Sequence, residues 1–258
     1  MALVGIGLWL RWPALATEGF HNEDVAGIAL NADLLLNGLV PLVDNLEYKA
    51  PGTFYITALV WSVFGRTLPA LQWVGVFWSI MATLGVFAVG RILYGRKAGV
   101  VAATIYVLVA PITDSIDVNY GAWMIAPYIW ATASFLWAAK TGRMRWILTT
   151  GILLAFAGLL KRQAAVLFPL FAVAPFIGRY LAWPDEWVGF FKPRRAVVIF
   201  GCGLAIGFLP IMAWYLIQGE LSTFVGSYFF SESGWKYVQG STSWSDRMAR
   251  VGDGLLGF

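Results

Sequence analysis

The sequence predicts an all-α, polytopic transmembrane protein of about seven spans, and three observations carry that prediction. Of its 258 residues, 59% are hydrophobic and only 12% charged, a balance foreign to an ordinary soluble domain. The apolar residues gather into seven segments whose lengths approach the roughly 20 residues a helix needs to cross a bilayer. The basic residues gather into three short turns, whereas the acids concentrate elsewhere.

Residues 2–17 form the first apolar segment. It has no basic amino-terminal region and no clean small-residue cleavage site, and it carries Arg11 within it, so it reads as an uncleaved helix. A large loop, residues 18–70, comes next. Its apolar run 53–64 is too short for an easy crossing, and Tyr55 and Trp61 suit a helix lying in the membrane interface. Segments 71–90 and 98–113 flank the basic turn of Arg91, Arg96 and Lys97. Segments 121–139 and 146–160 flank Lys140, Arg143 and Arg145, and segments 163–178 and 196–217 flank Arg179, Lys192, Arg194 and Arg195.

The positive-inside rule places these three turns in the cytoplasm. The amino terminus is then cytoplasmic too. Residues 18–70, Asp114 and Asp117, the turn at Lys161 and Arg162, and residues 218–253 all face outward. Residues 1–258 make one transmembrane domain, and the closing VGDGLLGF starts what looks like another apolar segment. The chain is therefore expected to be the amino-terminal part of a longer protein.

Chemistry is expected in the outer stretch 18–65. It holds Glu18, Glu23, Asp24, Asp33, Asp44 and Glu47 against Lys49 as its one Lys or Arg. Carboxylates at a membrane face suit either transfer chemistry on a lipid-borne substrate or passage of a cation. A lone Cys202 excludes an internal disulfide, and the lone His21 excludes a histidine-rich zinc site. No phosphate-binding P-loop and no dinucleotide fingerprint is present, which argues against direct nucleotide chemistry.

Several of these residues fall into a family pattern. The acidic pair Glu23-Asp24 precedes an Ala/Leu helix closing on Asn37-Gly38. Asp44-Asn45-Leu46-Glu47-Tyr48-Lys49-Ala50-Pro51-Gly52 comes after it, then Phe54-Tyr55. Further on come the turn Gly90-Arg91-Ile92-Leu93-Tyr94-Gly95-Arg96 and the stretch Gly151 to Pro169 with Lys161. Taken together, the chain resembles the opening of the GT-C membrane glycosyltransferases, in the protein mannosyltransferase and aminoarabinose transferase branch of glycosyltransferase family 39. It departs from them in two places: the pair reads Glu-Asp where many relatives read Asp-Glu, and Ala50 replaces the first proline of the turn.

The resemblance implies a GT-C fold and transfer of a sugar from a polyprenyl-phosphate donor to a lipid, glycan or protein acceptor, at the outer face of a bacterial plasma membrane. Membrane lipids, not nucleic acid, are the other implied partners. Such a reaction needs a carboxylate to take the acceptor's proton and cations to hold the leaving phosphate. Glu23 or Asp24 would supply the first, with spacing to Gly38 pointing to Glu23. Lys49, Lys161 and Arg162 would supply the second, and Glu47 and Tyr55 would contact substrate. A divalent cation is the one cofactor left open, with Asp114 and Asp117 suited to hold it.

Each residue also has a plainer role open to it. Glu23 and Asp24 can cap the helix after them, as Asp114 and Asp117 can cap the one near Tyr120. Lys49 can snorkel to water, and Lys161 and Arg162 can simply mark the outer ends of two helices. The rival function is a transporter or lipid flippase whose outer carboxylates bind a coupling cation. Transporters usually hold their ionisable groups near the middle of the spans, where this sequence has almost none.

Overall fold

The computed structural model of the protein describes residues 2–15, 22–44, 49–112, 118–177, 187 and 192–230. Among these residues there are ten α-helices and no strand. In chain order they are α1 (Ala2–Leu15), α2 (Glu23–Leu36), α3 (Gly52–Phe64), α4 (Leu68–Tyr94), α5 (Arg96–Val109), α6 (Tyr120–Thr141), α7 (Arg145–Leu160), α8 (Phe168–Ile177), α9 (Pro193–Ile217) and α10 (Leu221–Phe229). Each expected apolar segment falls on one of them. The segment 163–178 is divided, because Arg162–Leu167 winds as a 3₁₀ helix before α8 begins. Pro169 accounts for the change: its ring and missing N–H bar an α-helix from running through from the preceding turn.

The membrane-facing character is written on the surface. Helices α4 and α9 are each long and apolar enough to cross a bilayer. Trp73, Phe77 and Leu84 on α4, Val101, Ile105 and Leu108 on α5, and Val198, Ile206 and Leu209 on α9 are all exposed. Water would oppose such a surface, whereas lipid accepts it. The protein is an all-α integral membrane protein.

The helices of the bundle are held by close backbone approach. A single residue, Gly95, joins α4 to α5 at φ +87°, a conformation that disfavours any side chain. Gly151 of α7 and Gly203 of α9 lie against each other's helices, and a methyl on either would strike the partner's main chain at Phe200 O or Leu148 O. Between these pairs runs α6, ended by Gly142 in the left-handed region.

Above this bundle sit α2 and α3. Val25, Ile28 and Ala32 of α2 bury against Phe54, Ala58 and Trp61 of α3, together with Leu71, Trp123 and Leu160 from α4, α6 and α7. Two ion pairs fix the direction of α2. Asp24, in its first turn, meets Lys49 just before α3, and Asp33, in its last, meets Arg66 just after α3. The two helices therefore run parallel, which obliges the chain to travel back between them. Part of that return is pinned to α9, where the Tyr215 hydroxyl donates to Pro41 O at 2.7 Å. Leu42, next in line, takes φ +69°, a strained value for leucine.

Candidate active site

The site is built where the amino terminus of α6 meets the starts of α2 and α3 and the end of α7. At the start of α2 the cap is Asn22, whose side chain accepts from Asp24 N at 2.8 Å. Neither acid is needed for that task. The Glu23 side chain is left exposed, and the Asp24 carboxylate reaches Lys49 Nζ at 2.5 Å. Spacing to Gly38 points to Glu23, whereas it is Asp24 that meets Lys49.

The turn into α3 sets the position of Lys49. Gly52, the first residue of α3, rests on the end of α7 so closely that a methyl there would lie 2.5 Å from Leu159 O. A side chain at this position would push the turn outward. The contact places Lys49 over the buried ring of Tyr120, 5.1 Å from its centroid. Tyr120 itself is held edge-on by Phe54.

Lys161 arrives from the other side. It directly succeeds α7, and its extended backbone turns the chain into the 3₁₀ segment. A methyl on Gly121, in the first turn of α6, would lie 3.5 Å from Lys161 Nζ and 3.1 Å from Asn119 Oδ1. Two ammonium groups thus approach the amino-terminal turn of α6, which is already the positive end of that helix. An anion is what such a place attracts. Asn119 caps α6, accepting from Ala122 N at 2.9 Å.

The remaining expected residues divide. Arg162 turns away from Lys161: its Nη1 donates to Ser227 O at 3.1 Å and Tyr228 O at 3.4 Å, at the carboxy-terminal turn of α10. A cation suits that end of a helix, so Arg162 acts as a strut for α10. The Tyr55 ring packs edge-on against Trp214, and burial pushes its phenol far above the ordinary range, so it stays neutral. Glu47, Asp114 and Asp117 lie outside the described residues. Among the described residues, no three of His, Cys, Asp and Glu come together to hold a metal.

Sequence reasoning missed Tyr120, Asn22, Asn119 and Arg66. Both asparagines stand immediately before a helical run, the ordinary sign of a cap, and each was legible as one. Arg66 lies one residue beyond the acidic stretch. Nothing in the sequence marks Tyr120 as the ring beneath Lys49.

A profile of the dolichyl-phosphate-mannose-protein mannosyltransferase family matches residues 48–214. The chain belongs to that family. As a member of the dolichyl-phosphate-mannose-protein mannosyltransferase family it is a membrane glycosyltransferase. The matched region takes in Lys49, Tyr120 and Lys161 and starts after Asp24. No curated protein and no solved structure matches the chain significantly.

Proposed function

We propose that the protein moves a sugar from a polyprenyl-phosphate donor to an acceptor hydroxyl at the outer membrane face, with Asp24 as the base and Lys49 and Lys161 on the donor phosphate. The observation that carries this is the convergence, among the described residues, of the Asp24 carboxylate with Lys49 and Lys161 near the amino terminus of α6. Separately each has an ordinary role. Placed together beside a buried ring, they match the charges of the reaction.

In the resting protein Asp24 and Lys49 neutralise one another. A phosphate entering between Lys49 and Lys161 competes for Lys49 and loosens its hold on Asp24. As the acceptor oxygen attacks the anomeric carbon, its proton passes to the Asp24 carboxylate. The bond from that carbon to the phosphate oxygen breaks, and its electron pair leaves with the phosphate, where the two cations meet the new charge. Lys is suited to this part, being a compact charge on a flexible stem.

The test is sugar transfer in liposomes from a panel of labelled polyprenyl-phosphate sugars, comparing wild type with Asp24→Asn and Glu23→Gln. Asp24→Asn is expected to keep donor binding and lose transfer by about a hundredfold or more, the usual range for a general base. Glu23→Gln is expected to stay near wild type. Full transfer by Asp24→Asn, or loss confined to Glu23→Gln, would overturn the assignment.

A further inference from the structure

Proline has no backbone N–H, and inside a helix its ring also crowds the carbonyl four residues earlier. Pro127 stands inside α6, so the carbonyl of Trp123 loses its ordinary helical donor. In an apolar bundle a carbonyl left so is costly, and a neighbouring helix has to supply the donor. Trp78 of α4 supplies it: its Nε1–H donates to Trp123 O at 2.7 Å. Packing aims the indole. It meets the Trp123 ring edge-on with centroids 5.1 Å apart, and the Phe156 ring of α7 at 6.2 Å.

A second indole bond between the same two helices differs in kind. Trp130 of α6 donates from Nε1 to Met81 O of α4 at 2.9 Å. Gly85, four residues on from Met81, keeps its N–H, and the proline of α4 lies at the start of that helix. Trp130 therefore adds a donor to a carbonyl its own helix already serves, whereas Trp78 replaces one that is missing. The replaced donor also lies nearer the site. Trp123 is one turn beyond Tyr120, and the two share a core with Phe54 and Leu160. Tyr120 lies under Lys49, and Gly121 lies beside Lys161.

We infer that Trp78 is a positioning residue for the site: by standing in for the N–H that Pro127 lacks, it fixes the opening turn of α6 and, with it, the ring of Tyr120 between Lys49 and Lys161. Its effect on sugar transfer rests on the function proposed above, whereas its effect on α6 does not. Without the bond the opening turn moves more freely, and the donor phosphate meets two lysines whose common floor is no longer held. The consequence is a weaker hold on the donor, not a slower chemical step.

Deuterium exchange of the backbone amides of residues 121–126, followed in the full chain in mild detergent, tests this through a double-mutant cycle of Trp78→Phe with Pro127→Ala. With Pro127 present, Trp78→Phe should speed exchange about tenfold, the size of effect one unpaired buried carbonyl gives. With Pro127→Ala the same change should speed it about twofold or less, because the alanine N–H restores the helical donor. Trp130→Phe should show no such dependence on residue 127. In liposomes with labelled polyprenyl-phosphate sugars, Trp78→Phe should raise donor KM several-fold with kcat little changed, and adding Pro127→Ala should reverse the rise; general loosening would instead lower kcat through loss of active protein. If Trp78→Phe fails to fold, as judged by helix content, benzothienylalanine at position 78, with sulfur in place of the N–H, carries the cycle. Equal acceleration of exchange in both backgrounds, or a loss of kcat with donor KM unchanged, would overturn the inference. Coupled exchange in a chain that transfers no sugar would uphold the role of Trp78 in α6 and overturn the function proposed above.

Discussion

The two ends of α2 carry nearly the same ion pair in different settings. Lys49 to Asp24 measures 2.5 Å and Arg66 to Asp33 measures 2.6 Å. The first lies beside a buried tyrosine ring with a second lysine approaching the same helix terminus, its partners 33% and 42% exposed; the second is 48% and 41% exposed. Distance alone does not distinguish them. What differs is the setting of the cation: Lys49 meets an aromatic ring and a second lysine and is the less exposed, whereas the two carboxylates face water about equally.

The sharpest break of this comparison is to neutralise one carboxylate at each end. Asp24→Asn should cut transfer by about a hundredfold or more, while Asp33→Asn leaves it within a few fold, read as initial rates at saturating donor. Equal losses would mean that both pairs serve only to hold α2. Next in size, Lys161→Met and Lys49→Met should each weaken donor binding by about tenfold or more, visible in KM or in direct binding. A smaller effect is expected from the ring below Lys49. Tyr120→Leu should reduce donor affinity several-fold and Tyr120→Phe should be nearly silent, because the ring face and not the hydroxyl meets the ammonium. Smallest of all, Arg66→Met should change stability by about 1 kcal/mol or less, and the wild-type pair should weaken with salt. Thermal unfolding in detergent at low and high ionic strength measures this.

Much of the architecture was legible because a bilayer enforces it. Apolar runs, basic turns and the short run 53–64 pointed to the helices that form, and residues 221–229 add α10 within the stretch after α9. The helix division at Phe168 turns on one proline. The site was legible as composition but not as geometry. Glu23 and Asp24 are neighbours in sequence, yet one helical step sends one to solvent and the other to Lys49. Lys161 and Arg162 are neighbours as well, and a 3₁₀ start sends one to α6 and the other to α10. Which member of an adjacent pair faces the site depends on the phase of a helix end, and composition does not specify phase.

Gly52 has a mechanical consequence. Its seat on the Leu159 carbonyl lies three residues after Lys49 and two before Lys161, so the two ammonium groups hang from one backbone joint. Side-chain mobility can move each amine, but their anchors travel together. The helix carrying Asp24 is attached differently, by apolar side chains and a salt bridge at each end. The two proposed phosphate ligands thus share one backbone contact, whereas the proposed base is held through side chains alone.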